Sequence, residues 1–313
     1  MFFRAARLGD NSFFRYVLTL LAVIVGSVIG QIPLVLLMAD YGAISLEGLY
    51  QEGASENYVL AMMLLSFAGG FGGLYLGVRY FHHKPFRAIF TGRSRLDWDR
   101  IGFAFWLWLG LTILLEVVSY FLAPEAYRWN FDPLAFPGLV LVSLLLLPVQ
   151  TTFEEAVFRG YLMQGFGLWF RYRWLSLLLT SVLFGALHFM NPEILEFGAL
   201  VMMGYYIGVG AVLGIATLMD EGTELAIGLH AATNIYGAVV VGYQGSALRT
   251  PALFMLDGLN APLMLLMTAL ASAAFLVICA RRYRWGNWKK LGQRISPATE
   301  YVINDQNRID EDL

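Results

Sequence analysis

Residues 137–160 read PGLVLVSLLLLPVQTTFEEAVFRG. From Pro137 to Val149 this run carries no charge, so the helix it predicts is already in lipid when Glu154, Glu155 and Arg159 arrive. An ionisable side chain inside a membrane span is costly and marks a functional site by default. Helical geometry separates the three. Glu155 and Arg159 stand four residues apart on one face and can pair. Glu154 lies about 100° further round and is left without that partner. The bland reading is a buried charge pair at a helix end, and the rest of the chain has to decide.

Composition sets the class. The chain has 313 residues, of which 58% are hydrophobic and 14% charged; soluble domains carry about 25% charged residues. An all-α, polytopic membrane helix bundle is expected. The net charge of −2 says nothing about nucleic acid, but no basic patch is interleaved with aromatics in the manner of an RNA- or DNA-binding surface, so no nucleic-acid partner is expected. The single cysteine, Cys279, excludes an intrachain disulfide and any cysteine-based metal cluster. The first apolar stretch is too long for a signal-peptide core and reads as an anchor.

About eight transmembrane helices are legible, near 16–39, 57–81, 101–123, 137–163, 174–190, 197–218, 223–242 and 261–280. Glycines cluster in the second (Gly69, Gly70, Gly72, Gly73, Gly77) and the sixth (Gly204, Gly208, Gly210, Gly214), which predicts close helix packing there. Pro33 and Pro148 predict kinks. One transmembrane domain over 1–285, with its core at 137–242, is followed by a polar tail, 286–313, expected to be a disordered cytoplasmic segment. Lys and Arg set the orientation: with the N-terminus inside, the cytoplasmic segments hold 16 and the opposite loops two, Arg128 and Arg249. Both termini are expected inside. The acidic pair Asp220–Glu221 is one violation of that pattern. Residues 82–100 alternate basic with apolar side chains and read as an interfacial segment, with His82 and His83 as solvated surface.

Two histidines fall within spans. His188 closes Phe184-Gly-Ala-Leu-His188, and His230 begins His230-Ala-Ala-Thr-Asn234. His230 and Asn234 are four apart and project from one face. Counted from the cytoplasmic end of each span, Glu154, His230 and Asn234 share a level in the inner half of the membrane. His188 sits roughly 7 Å too deep at 1.5 Å per residue. A desolvated glutamate can hold a water as general base, and histidine can orient that water or carry its proton. Asparagine and histidine can stabilise an oxyanion. With no serine or cysteine in the set, the expected chemistry is direct hydrolysis of an acyl bond, most simply a peptide bond.

The motifs Glu154-Glu155-x-x-x-Arg159, Phe184-x-x-x-His188 and His230-x-x-x-Asn234, in that order on successive membrane helices, resemble the CPBP family of intramembrane glutamic endopeptidases. That family includes CAAX proteases related to Ras-converting endopeptidases and the bacterial Abi-type proteins. The resemblance covers about 137–242. It implies that Glu154 activates water, that Glu155 and Arg159 support it, and that His188 works with Glu154. It assigns His230 and Asn234 to the oxyanion. It further implies a multi-pass hydrolase without cofactor or bound metal, in a bacterial cytoplasmic (inner) membrane with the active site toward the cytoplasm. Its substrate would be a peptide or a membrane protein, and a further membrane partner is left open. CAAX specificity is not carried over. The acidic Asp220–Thr223 loop departs from expectation and is read as bearing on substrate choice.

Three other readings compete. Glu, His and His are legitimate zinc ligands, although no H-E-x-x-H is present. A transporter could use the same buried polar cluster as a proton relay, but no inverted repeat is legible. A non-catalytic scaffold could bind a partner's membrane segment. Glu116, also within a span, is expected to make an interhelical hydrogen bond or line a water pocket, with a place in a substrate cavity as the alternative.

Overall fold

The structure is a computed structural model and describes residues 1–258 and 260–296. Each of the eight expected spans is a helix. A short helix α1 (Phe2–Ala6) precedes α2 (Phe13–Asp40), and α3 (Leu46–Gln51) precedes α4 (Glu56–Leu76). Then follow α5 (Trp98–Leu122), α6 (Phe136–Glu155), α7 (Met163–Phe170), α8 (Arg173–Leu187), α9 (Pro192–Phe197), α10 (Ala199–Asp220), α11 (Glu224–Val239) and α12 (Ala261–Arg282). Among the described residues, six helical segments are long and apolar enough to cross a membrane, the longest being Phe136–Phe170. Leu21, Ile24, Val28 and Ile32 on α2 face outward and uncovered by protein, as lipid-facing side chains do. The chain is an all-α, multi-pass integral membrane bundle.

Two of the eight helices are short. α8 has 15 residues and α11 has 16, so at 1.5 Å per residue each spans about 22–24 Å of a hydrocarbon layer about 30 Å thick. These are the helices that carry the two histidine motifs. α8 stops at Leu187 and not at 190 as expected, which leaves His188 in the turn that caps it. Helices α2 and α6 run through Pro33 and Pro148 without a break.

Glycine governs the tightest contact. A Cβ on Gly69 would lie 2.1 Å from the backbone oxygen of Gly26, and one on Gly73 would lie 2.2 Å from that of Ala22. Helices α2 and α4 therefore touch backbone to backbone. Gly72, on the other face of α4, has nothing within 4 Å of that position. On α10 the expectation divides: Gly210 and Gly214 pack on α8, while Gly204 and Gly208 meet nothing.

At one end of the bundle the acidic loop closes an ionic latch. Asp220 takes Arg93 at 2.8 Å, Arg100 at 2.5 Å and the Trp285 indole at 3.0 Å. Glu221 takes Lys290 at 2.5 Å, Arg173 at 3.4 Å and the Met1 amino group at 2.8 Å. Burial would raise the Glu221 carboxyl, but those cations hold it down at about 2. Glu224 is buried and meets Arg93 at 3.2 Å. These carboxylates are engaged in ion pairs within the chain.

The segment 82–100 is likewise more than an interfacial strip. His82 is fully buried and Lys84 nearly so, against the expectation of solvated surface for His82. The His82 Nδ1 donates to the Asp10 carbonyl at 2.6 Å, and its Nε2 accepts from the Tyr161 hydroxyl at 2.7 Å. Burial pushes this imidazole down to about 4. Lys84 donates to the Ala6 carbonyl and to Asn11 Oδ1, and burial lowers its ammonium to about 8. What covers both residues is the N-terminal segment around α1, folded back over the loop. His83, with φ of 51°, stands outward.

The opposite end carries a small sheet in the order β1-β3-β2, made of β1 (Tyr127–Trp129), β2 (Val241–Tyr243) and β3 (Phe254–Leu256). Near it Arg249 pairs with Glu56 at 2.8 Å and Glu47 at 3.2 Å. The tail is folded further than expected. Residues 288–292 form a 3₁₀ turn and Ile295 is buried; 297–313 lie outside the described residues.

Candidate active site

The charge-free half of α6 delivers Gln150, Glu154 and Glu155 into the bundle, all buried. At Ala156 the α-helix gives way to a π-helix that runs to Leu162, then resumes as α7. A π-helical turn within an α-helix is rare and often accompanies a functional site. Here it begins at the residue after the two glutamates and contains Arg159 and Tyr161. Tyr161 is the residue that His82 holds.

Glu155 and Arg159 are both fully buried and pair at 2.8 Å, as their spacing predicts. Arg159 also donates to the Gly210 carbonyl at 3.2 Å and lies 4.2 Å from the Phe184 ring centroid. Glu155 Oε1 is shared. The His230 Nδ1 donates to it at 2.8 Å, so one carboxylate oxygen anchors both a guanidinium and an imidazole.

Glu154 is placed differently. It is 8% exposed, where Glu155 is 0% exposed. Its Oε1 accepts from Gln150 Nε2 at 2.8 Å. Its Oε2 accepts no hydrogen bond from the described protein and lies 3.8 Å from His230 Nε2. The Asn234 Nδ2 donates to Gln150 Oε1 at 3.0 Å. Five of the six expected residues therefore converge, with Asn234 joined to Glu154 through Gln150.

His188 stands apart. Its Nδ1 donates to the Phe184 carbonyl at 2.7 Å, which leaves Nε2 as the free nitrogen, and its ring stacks on Tyr206 with centroids 4.4 Å apart. Phe184 lies between the two histidines, 4.6 Å from His188 and 6.0 Å from His230 by ring centroids. Among the described residues no hydrogen bond or ion pair joins His188 to Glu154.

Sequence reasoning missed Gln150 because the charge-free run was taken to end at Val149. The signal was present: an amide one helical turn before Glu154, on the same face, in an otherwise apolar span. The π turn has no sequence signal of comparable clarity. Glu116 accepts from the Tyr127 hydroxyl of β1, and the Tyr236 hydroxyl of α11 also faces it, the expected kind of polar partner. Among the described residues no group of three or more His, Cys, Asp or Glu side chains is arranged to hold a metal ion.

Comparison with known proteins agrees with the motifs. Residues 136–236 match the family model described as type II CAAX prenyl endopeptidase Rce1-like. The chain is 34% identical over 165 residues to the uncharacterized protein YyaK of Bacillus subtilis strain 168, an alignment covering 52% of this chain and 55% of that protein. The chain thus spans about half the length of that curated relative. No solved structure matches it. The family resemblance drawn from the three motifs is the one that this match reports over α6 to α11.

Proposed function

We propose, from the match of residues 136–236 to Rce1-like CAAX prenyl endopeptidases, that this chain is an intramembrane endopeptidase in which Glu154 activates water. The observation that carries the reading is the unequal treatment of two adjacent glutamates. Glu155 is sealed and charge-balanced by Arg159. Each keeps one carboxylate oxygen without a protein donor, but Glu155 is 0% exposed, whereas Glu154 is 8% exposed, makes no ion pair with an arginine among the described residues and holds its open Oε2 beside His230.

A water seated against Glu154 Oε2 attacks the carbonyl carbon of a peptide bond, and its proton passes to Oε2. The carbonyl π pair moves to oxygen, where N–H donors stabilise the resulting charge. Asn234 has two N–H groups and spends one on Gln150, leaving one for that oxygen. His230 has its Nδ1–H committed to Glu155, so only a doubly protonated ring offers Nε2–H to the oxyanion. When the tetrahedral species collapses, the C–N bond breaks and the proton held by Glu154 goes to the leaving amine. The products are one carboxylic acid and one amine, with no change of oxidation state. His188 enters through the resemblance, with Nε2 as the nitrogen free to take up a proton.

Lys and Arg asymmetry supports a site in the cytoplasmic half of the membrane, and the family resemblance supports a bacterial inner membrane. The substrate is a peptide or membrane-protein segment that reaches this depth; prenylation of that segment is not required by any residue named above. Membranes of cells producing the wild type or Glu154→Gln at equal folded level are compared for newly created protein termini. Termini present with the wild type and absent with Glu154→Gln are expected. Identical sets of termini would overturn the reading.

A further inference from the structure

We propose that Gln150 is a positioning residue that couples the proposed general base to the proposed oxyanion donor through its side-chain amide; this rests on the endopeptidase reading. The contacts admit one orientation. A carboxylate only accepts hydrogen bonds, so the amide nitrogen of Gln150 faces Glu154, at 2.8 Å. Its oxygen is then left for Asn234, which must turn its own nitrogen toward it, at 3.0 Å. Gln150 is 7% exposed and has no other recorded partner among the described residues. Both ends of its amide are spent on two residues that belong to different helices.

Three consequences follow from that geometry. The donation to Oε1 leaves Oε2 as the oxygen of Glu154 that meets water. The acceptance from Asn234 fixes the Asn234 amide so that its nitrogen, and not its oxygen, lies on the Gln150 side. The bridge also ties α6 to α11 at the level of the reacting atoms. A glutamine four residues before the glutamate thus sets the relative position of two groups that have to act on one substrate carbonyl, where a displacement of about 1 Å costs on the order of 10²-fold in rate.

The test uses full-length protein in liposomes, with Gln150→Met as the closest apolar match in shape. If that variant loses folded yield, Gln150→Leu replaces it, since it also removes the donor to Glu154 and the acceptor for Asn234 without placing a second carboxyl against Glu154. Two readouts are taken. In the first, the infrared carboxyl band that disappears in Glu154→Gln is followed in the Gln150 variant, and it is expected to shift because Oε1 has lost its donor. In the second, peptide turnover is expected to fall about 10–100-fold in kcat with KM changed less than about twofold. In the Asn234→Ala background Gln150→Met should cost less than it does alone. An unmoved band, or unchanged kcat, overturns the positioning role. If the wild type cleaves no peptide, the endopeptidase reading fails on its own. The infrared band then decides: a shift supports Gln150 as the residue that sets Glu154, and no shift overturns it.

Discussion

Glu154 and Glu155 are the same side chain one residue apart, and their surroundings separate them. Glu155 Oε1 holds Arg159 and His230, both at 2.8 Å, in a site closed to solvent. Removing its charge leaves a fully buried guanidinium unpaired, which costs about 3–5 kcal/mol. Glu155→Gln is expected to lower the yield of folded protein in detergent, measured by size-exclusion chromatography, while Glu154→Gln leaves it near wild type. The i,i+4 spacing made this pairing legible from residue numbers alone. His82 was not legible in that way: beside Lys84 in a polar loop it reads as surface, and only the N-terminal segment folding across it makes it buried. Its titration provides a check. An unfolded histidine titrates near 6.5, whereas His82 is held down at about 4. The folded protein therefore binds this proton only at lower pH than the unfolded chain does. The stability it contributes is complete above about 6.5 and drains as pH falls toward 4. Thermal unfolding in detergent should show that decline, and His82→Gln, which has no charge to gain, should flatten it.

Helices were read more securely than their ends. All eight helices were visible because long apolar runs have few alternatives, six of them long and apolar enough to cross a membrane, and the glycines of α4 marked it as a closely packed helix. What the pattern did not reveal was which glycines are used. Gly69 and Gly72 look alike in sequence, yet a Cβ on Gly69 would strike backbone and one on Gly72 would strike nothing. Gly69→Ala is expected to destabilise by about 1–3 kcal/mol, as overpacking does. Gly72→Ala should be neutral or slightly stabilising. Detergent unfolding curves for the pair decide it, and equal behaviour would mean that α2 and α4 do not meet as described. The π turn after Glu155 carries contacts made across the bundle, by Tyr161 with His82 and by Arg159 with Gly210. Periodicity within one segment cannot carry that information. The depth count did place Glu154, His230 and Asn234 at one level, and it marked His188 as the member that does not fit.

Across the whole molecule, charge is sorted by end. The latch built on Asp220 and Glu221 gathers Arg93, Arg100, Arg173 and Lys290. The apparent violation of the Lys and Arg pattern thus sits among the cations that dominate that end. A cysteine at the exposed Ser94 should react with a membrane-impermeant thiol reagent only after permeabilisation, and one at the exposed Ser55 without it. The buried Cys279 does not compete. The opposite labelling pattern would move the site to the outer half of the membrane. The central claim is that Glu154 activates water without a metal. It is tested most directly with purified protein in liposomes, dialysed against chelators, incubated with membrane-segment peptides and read by mass spectrometry. The account predicts that the wild type cleaves equally before and after chelation and that an equally folded Glu154→Gln cleaves nothing. Cleavage by Glu154→Gln would contradict it, as would wild-type activity that disappears on chelation and returns with one equivalent of zinc.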